Sequence, residues 1–334
     1  MDDSPVPLPG TAFYTVADRR FFPGLVALLN SLRLTGHEEP LVVVDIGLSP
    51  EQREMLADHV VLVEPPSPDM PAVFVAPYGP LRRPAEVAVL IDADIIVTRP
   101  LTELTEAARQ GRIVAFVDCL PNSHRFHPEW QTTLGLGPLR RRRYLNAGFL
   151  AYPHALTERL LPPWTEGQRT IGVAHSRYGS ATLDDPFYFA DQDVLNAVLA
   201  ARFEDDELLV LDHRLAPHPP FPGLELVDRS RLTCRYADGA EPFLLHHVLA
   251  KPWLRATRDT VYSTLMTRLL LAPDVALRLD PPTLPLRLRE GRAAALDRRR
   301  ADAVTLVHDH GRHQLGRFGI RTRLARRRAR RATR

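Results

Sequence analysis

The sequence contains few cysteines and no long apolar runs. Its 334 residues include two cysteines, Cys119 and Cys234, whose spacing matches neither a metal-binding motif nor a disulfide framework. We interpret both as core or near-surface thiols, and their scarcity favours a reducing, cytoplasmic compartment. The longest apolar runs are too short to span a bilayer, and the first residues lack the charged and then apolar segments of a signal peptide. We therefore expect neither a membrane-spanning nor a disulfide-stabilised protein.

Lysine is almost absent. Lys251 is the single lysine among 43 basic residues, and the others are arginines. The compact ammonium of lysine and the planar guanidinium of arginine are not interchangeable at a tight phosphate site. Lys251 is therefore a candidate for such a site, and the alternative interpretation is an ordinary solvated lysine.

The composition is otherwise that of a globular protein, with 45% apolar and 25% charged residues. The length suits one large domain, or a domain with an appendage. The net charge of +3 hides an uneven distribution, because residues 317–334 are rich in arginine and contain no acid. We interpret this tail as solvated chain, and peripheral contact with an anionic membrane is a second hypothesis. No base-reading motif precedes the tail, so nucleic acid is not an expected partner.

Strands and helices alternate in the first part of the chain. Apolar runs predict the strands, and Ser49 is a candidate N-cap for the second helix. The predicted elements are a strand at 11–17, a helix at 21–34, a strand at 41–46, a helix at 49–59, and strands at 60–63 and 87–91. This alternation indicates an α/β fold with a mostly parallel, Rossmann-like sheet flanked by helices. We expect a frayed start at 1–10 and a helical, basic extension at 254–334.

The next part of the chain has weaker patterns. The predicted elements there are a helix at 102–110, strands at 112–117 and 144–150, and a helix at 191–200. Residues 118–143 show no periodicity, and a loop of that length in a compact domain is usually functional or mobile. His124, His127 and Trp130 in this loop are candidates for binding an acceptor.

Two aspartates follow the apolar strand at 87–91. Asp92 and Asp94 are separated by Ala93 and reach the carboxyl edge of the predicted sheet, where open α/β sheets bind their ligands. Two neighbouring carboxylates repel each other unless a cation or a proton offsets their charge. A divalent ion with oxygen ligands would do so and would leave coordination positions for phosphate oxygens. The alternative is a strand end with two solvated acids.

Five segments together resemble a known family. They are Phe13-Tyr14-Thr15-Val16-Ala17-Asp18, Asp92-Ala93-Asp94, Asn146-Ala147-Gly148, Asp191-Gln192-Asp193-Val194-Leu195-Asn196 and His246-His247-Val248-Leu249-Ala250-Lys251-Pro252-Trp253. In this order and spacing they resemble the family 8 glycosyltransferases, which are retaining enzymes of the GT-A fold that use nucleotide sugars. The resemblance covers residues 11–253 and implies a GT-A catalytic domain over that range.

The resemblance implies a metal site and a donor site. The metal ligands would be Asp92, Asp94 and a late histidine, either His246 or His247, with His246 preferred. The mixed carboxylate and imidazole set favours Mn²⁺, with Mg²⁺ as the other candidate. The ion would neutralise the charge that develops on the departing diphosphate, and Lys251 would donate to that diphosphate.

The resemblance also implies contacts with the donor and its sugar. Ala17 and Asp18 would lie beside the nucleobase, and Asn146, Ala147 and Gly148 would let the backbone approach the sugar. Either Arg82 or Arg83 would supply an arginine near the donor, and Arg83 is the preferred candidate.

Catalysis would fall to two residues. Asp191 and Gln192 would face the reacting sugar. Because an amide oxygen is a poor nucleophile, front-face substitution through an ion pair is the expected mechanism. The alternative for Asp191 is simple helix N-capping.

We therefore predict a metal-dependent retaining glycosyltransferase that moves a hexosyl group from a nucleotide-diphosphate sugar, with UDP as the preferred nucleotide, to a hydroxyl of a glycan or small molecule. A non-catalytic nucleotide-sugar-binding protein of the same fold is the main alternative. A haloacid-dehalogenase-like phosphatase also begins with a strand and two aspartates. That family normally has Thr or Val two residues after the second acid, where this chain has Ile96.

Overall fold

A computed structural model describes residues 7–119, 121–248, 250–255, 260–298 and 300 of the chain. The strands are β1 Leu8–Ala17, β2 Leu41–Asp45, β3 Val61–Val63, β4 Ala85–Ile91, β5 Ile95–Val97, β6 Ile113–Val117, β7 Leu145–Pro153, β8 Leu208–Leu211, β9 Leu224–Asp228, β10 Thr233–Tyr236 and β11 Leu244–His246. The α-helices are α1 Phe22–Leu34, α2 Pro50–Leu56, α3 Tyr78–Arg82, α4 Thr102–Arg109, α5 Glu129–Thr133, α6 Thr157–Ile171, α7 Asp191–Arg202 and α8 Thr260–Leu271. The described residues also contain six short 3₁₀ helices, four between these elements and two after α8, and residues 292–298 are α-helical.

Seven strands form the central sheet in the order β3-β2-β1-β4-β7-β6-β8. Strand β7 is antiparallel to both of its neighbours, and the other pairings in the sheet are parallel. The predicted α/β class and mostly parallel sheet are confirmed. Two small antiparallel pairs, β9 with β10 and β5 with β11, lie outside the central sheet.

The central sheet is covered on both faces. Within β4, Val87 and Val89 join the core on one face, whereas Ala88 and Leu90 join the core on the other. Helices α1 and α8 contribute to the first core, and α6 and α7 to the second. Because successive strand residues point to opposite faces, a strand buried on both sides needs a continuous apolar run. The run that ends at Ile91 meets this requirement.

Helix α2 begins as its sequence predicts. The Ser49 side chain accepts from the Gln52 backbone N–H, and the Gln52 side chain accepts from the Ser49 N–H. This reciprocal capping satisfies two backbone donors that the helix itself leaves unpaired. The helix ends at Leu56, earlier than the predicted residue 59.

Several element boundaries differ from the sequence predictions. Strand β1 begins at Leu8, inside the segment expected to be frayed, because it pairs with β4 from its first residue. The predicted loop at 118–143 contains α5 and a 3₁₀ helix at Asn122–His124. These turns are too short to produce a recognisable helical period.

Apolar residues at 262–288 pack onto the same core as the sheet. Helix α8 lies against α1, where Asn30 donates to the carbonyl oxygens of Leu269 and Leu277 at 2.7 Å. Tyr262 and Leu265 on α8 are fully buried. Residues 1–6 and the arginine-rich tail at 317–334 lie outside the described residues. Of the helices described, none has the length and apolar character needed to cross a membrane.

Candidate active site

A cavity of about 710 Å³ lies where β1, β4 and β6 end and β7 begins. Parallel strands bring their carboxyl ends to one edge of the sheet, and the reversed strand β7 brings its amino end there. Of the residues predicted to bind the metal or the donor or to take part in catalysis, all but one line this cavity: Ala17, Asp18, Asp92, Asp94, Asn146, Ala147, Gly148, Asp191, Gln192, His246 and Lys251. The exception is Arg83.

Asp92, Asp94 and His246 converge in this cavity. The Nε2 atom of His246 lies 3.3 Å from Asp92 Oδ2 and 3.3 Å from Asp94 Oδ1. One ligand atom from each residue lies within 4.8 Å of the other two, which is compatible with a shared metal ion. Asp94 and His246 are buried, whereas the Asp92 side chain is half exposed.

Asp94 has one oxygen engaged and one available. Its Oδ2 accepts from the ammonium of Lys251, which also donates to the carbonyl oxygen of His247. Its Oδ1 is buried and has no hydrogen bond within the described part of the chain. Burial opposes ionisation of Asp94, but the charges of Lys251 and His246 outweigh it and lower the pKa of the carboxyl. The ionised carboxylate therefore keeps an unshared oxygen directed at the histidine.

Of the two adjacent histidines, His246 is the one that faces the acids. The His247 ring is fully buried and packs edge-on against Tyr262 at 4.8 Å and Phe221 at 6.1 Å between ring centroids. Its backbone N–H donates to the Asp94 carbonyl at 3.1 Å. The geometry thus favours the preferred assignment of the histidine ligand.

Helix α1 and helix α8 hold the aspartate pair in place. A Cβ atom on Gly24 of α1 would lie 2.4 Å from the Ala93 carbonyl oxygen and 2.7 Å from the Trp253 ring, so only glycine permits this approach. The Trp253 indole donates to the Arg20 carbonyl at 2.8 Å. The Tyr262 hydroxyl of α8 donates to the Asp94 carbonyl at 2.8 Å.

Asp18 connects the cavity to the start of α1. Its Oδ1 accepts from the backbone N–H groups of Arg20 at 2.8 Å and Phe21 at 2.9 Å. Asp18 therefore stabilises the turn that precedes α1. Ala17 and Asp18 both line the cavity, so the proposed nucleobase contact stays a prediction.

Gln192 is fixed by three hydrogen bonds. Its Oε1 accepts from Asn146 Nδ2 at 3.2 Å and from the Ala147 backbone N–H at 3.0 Å. Its Nε2 donates to Asp118 Oδ2 at 3.0 Å. Asn146 also accepts from the Gly148 N–H at 2.9 Å. Two donors on one amide oxygen reduce its nucleophilicity further.

Asp191 stands at the first turn of α7 without serving as its N-cap. The cap position is Ala190, which makes no side-chain cap hydrogen bond and has φ 52°, a strained value for a non-glycine residue. Burial raises the pKa of Asp191 well above its usual range, and the charge of Asp92 adds to this effect. Arg177, which also lines the cavity, opposes the shift.

Asp193, the second acid of the Asp191-Gln192-Asp193 motif, points away from the cavity and organises the loops around it. It is fully buried and accepts from Arg125 Nε at 2.7 Å and the Tyr144 hydroxyl at 2.8 Å. It also accepts from the Phe189 N–H at 2.7 Å, next to the strained Ala190. Arg125 donates further to the carbonyl oxygen of Leu183 at 2.8 Å.

Two groups of predicted residues are not brought to the cavity. Arg83 is exposed, as is Arg82, because both lie at the outer end of α3. Of the acceptor candidates, Trp130 is buried and its indole donates to the Pro186 carbonyl at 2.6 Å, so it is a core residue. His127 packs against Trp130, and His124 is exposed outside the cavity.

Known proteins of similar shape carry the same fold. No protein-family model and no curated protein matches the sequence. An active-site mutant of the galactosyltransferase LgtC superposes with a TM-score of 0.53 at 16% identity, covering 80% of this chain and 98% of that one. The bifunctional glycosyltransferase WbbM superposes with a TM-score of 0.54 at 16% identity, covering 81% of this chain and 50% of that one. The chain has a GT-A fold. Similarity at this level of identity establishes the fold alone.

Several residues of the cavity were not predicted from the sequence, among them Asp118, Arg177 and His218. Asp118 follows β6, Arg177 lies before α7, and His218 lies between β8 and β9. The position of Asp118 directly after an apolar strand is the same signal that identified Asp92. The other two lie in irregular segments and have no local signal.

Proposed function

We propose that the chain is a metal-dependent, retaining glycosyltransferase of the family 8 type. It moves a hexosyl group from a nucleotide-diphosphate sugar, UDP-linked in our proposal, to a hydroxyl of a glycan or small molecule. The observation that carries the proposal is the convergence of Asp92, Asp94 and His246 at the carboxyl edge of the sheet. The GT-A fold supports it.

The three side chains fit a divalent cation. The buried Asp94 oxygen without a hydrogen bond, together with the nearby His246 nitrogen and Asp92 oxygen, supplies the donor set. Two carboxylates and one imidazole suit Mn²⁺, and Mg²⁺ is the second candidate. The bound ion would act as a Lewis acid that neutralises charge on the leaving diphosphate.

Lys251 supplies a second positive charge for the leaving group. Its ammonium is mostly buried beside Asp94 and lines the cavity. A charge-assisted hydrogen bond to a departing phosphate oxygen strengthens as negative charge develops there. Its interaction with Asp94 positions the ammonium for this role.

The residues on the opposite side of the sugar stabilise positive charge. The Gln192 oxygen already accepts two hydrogen bonds, which favours front-face substitution over a covalent intermediate on this residue. The bond from the anomeric carbon to the diphosphate breaks, and the acceptor oxygen attacks the same face. The departing phosphate oxygen takes the acceptor proton. Asp191 stabilises the oxocarbenium-like sugar, while Asn146, Ala147 and Gly148 border it and Ala17 and Asp18 border the nucleobase.

Incubation with a panel of UDP-sugars in Mn²⁺ tests the proposal, with release of UDP as the readout. We expect release with at least one donor, loss of release in EDTA and loss in Asp94→Asn. Asp58→Asn, at an exposed acid in a turn, is the matched control and should keep the activity. Donor binding with no turnover, measured by thermal shift, would instead favour the non-catalytic binding protein. Absence of binding and turnover with every donor would contradict both functions.

A cytoplasmic location and peripheral membrane contact remain predictions. The predicted location rests on the low cysteine content. The predicted membrane contact rests on the arginine-rich tail, which lies outside the described residues. Co-sedimentation of the full chain with anionic vesicles, compared with a chain ending at residue 316, tests the membrane contact.

A further inference from the structure

A second group of metal-ligating side chains lines the cavity beside the first. Asp118 and Cys119 follow β6, and His218 lies between β8 and β9. One ligand atom from each, a carboxylate oxygen, the sulfur and a ring nitrogen, lies within 4.8 Å of the other two. The His218 Nδ1 atom is 3.7 Å from Asp118 Oδ1.

His218 offers this group a buried ring nitrogen that makes no hydrogen bond within the described residues. Its side chain is 7% exposed, and its Nδ1 makes no hydrogen bond to any described residue. A buried polar atom left without a partner has lost its hydrogen bonds to water and gained none in return, so a retained one needs an explanation. The His218 ring lies edge-on to His246 at 5.2 Å between centroids, and its Nδ1 faces the Asp118 carboxylate.

The chemistry of the second group differs from that of the first. Thiolate, imidazole and carboxylate together favour zinc, which takes sulfur and nitrogen ligands, over manganese or magnesium. Asp92, Asp94 and His246 offer no sulfur. Three protein ligands beside an open cavity correspond to a zinc site with one position left for water or a ligand.

We propose that Asp118, Cys119 and His218 form a zinc-binding site distinct from the site at Asp92, Asp94 and His246, and that zinc bound there inhibits the protein. On binding, the Cys119 thiol loses its proton to solvent and the thiolate coordinates the ion. Without zinc, Asp118 accepts from Gln192 at 3.0 Å and from Asn146 at 3.4 Å. Zinc inhibits because coordination of Asp118 to the ion competes with these two hydrogen bonds. The binding stands independently, whereas the inhibition rests on the proposed glycosyl transfer.

Cobalt substitution tests the binding without any activity assay. Titration of the full chain with Co²⁺, with the Mn²⁺ site saturated, should produce a thiolate-to-cobalt charge-transfer band that Zn²⁺ removes. Cys119→Ser should abolish the band and His218→Asn should abolish tight binding. Cys234→Ser, at the other free cysteine, should keep both. No band in the unaltered chain, or a full band in Cys119→Ser, would overturn the site.

Zinc titration of the transfer reaction tests the inhibition. In excess Mn²⁺, zinc should inhibit the unaltered chain and Cys234→Ser, each compared with its own zinc-free rate, and should not inhibit Cys119→Ser. Equal inhibition of Cys119→Ser would place the inhibiting zinc at Asp92, Asp94 and His246 and overturn the proposed inhibition through Cys119. A cobalt band together with no transfer under any condition would reject the proposed function while leaving the zinc site standing.

Discussion

His246 pairs directly with Ile95, the residue that follows Asp94, in the antiparallel ladder between β11 and β5. This backbone pairing brings the imidazole Nε2 to 3.3 Å from the Asp94 carboxylate. The separation of these two groups is therefore set by main-chain hydrogen bonds and not by a flexible loop. A metal site built this way is pre-organised, and small changes around it should alter metal affinity more than overall stability.

Gly148→Ala should weaken Mn²⁺ binding. A Cβ atom at this position would lie 2.1 Å from His246 Cε1, so the imidazole would have to leave its present position 3.3 Å from both carboxylates. Gly137→Ala is the matched control, because its Cβ would meet nothing within 4 Å. Isothermal titration with Mn²⁺ and UDP checks the difference. Equal affinities in the two variants would mean that the His246 position does not govern metal binding.

The loss of activity at acid pH should follow the protonation of Asp191. Burial and the charge of Asp92 raise the pKa of this carboxyl, so it takes up its proton above the usual value of about 3.9. In the proposed mechanism the ionised form stabilises the sugar cation, so activity should be present above the raised pKa and be lost as pH falls through it. Arg177→Gln removes a charge that lowers this pKa and should move the acid limb to higher pH.

Arg169→Gln is the control for that profile, because Arg169 forms an exposed pair with Glu166. Its acid limb should coincide with that of the unaltered chain. The measurement is kcat against pH at saturating donor and Mn²⁺. A limb that stays at the same pH in Arg177→Gln would contradict the assignment of the limb to Asp191.

Arg125→Met should destabilise the fold strongly. The Arg125–Asp193 pair is buried, and removal of one partner leaves the other charge uncompensated, at a cost of about 3–5 kcal/mol. Arg140→Met breaks the exposed pair with Glu204 and should cost about 0–1 kcal/mol. Urea unfolding of both variants gives the free energies. Similar small losses would show that the buried pair is not what holds the loops around α7.

Site residues that carry a local sequence signal could be predicted from the sequence. Asp92 and Asp94 follow a strand buried on both faces, and such a strand is visible as a continuous apolar run. Ser49 is predicted from its residue type as the N-cap of α2, and its side chain does accept from the Gln52 backbone N–H. Lys251 stands out in the sequence as the only lysine, and its ammonium donates to Asp94 Oδ2.

Residues that act over long separations could not be predicted in this way. His218 approaches Asp118 only because the segment after β8 folds back across the end of β6. Trp130 is of the aromatic type that often stacks on sugars, but its neighbours bury it and its indole donates to the Pro186 carbonyl. Arg83 had a plausible position in the chain, yet the end of α3 directs it to solvent. Tertiary packing decided each of these outcomes.

The most direct test of the account is Mn²⁺ binding measured by the electron paramagnetic resonance signal of the free ion, with UDP present. The unaltered chain and Asp58→Asn should remove free Mn²⁺ saturably, whereas Asp94→Asn and His246→Ala, with their fold confirmed by circular dichroism, should not. Unchanged Mn²⁺ binding in both of these variants, or no binding by the unaltered chain, would contradict a shared cation at Asp92, Asp94 and His246.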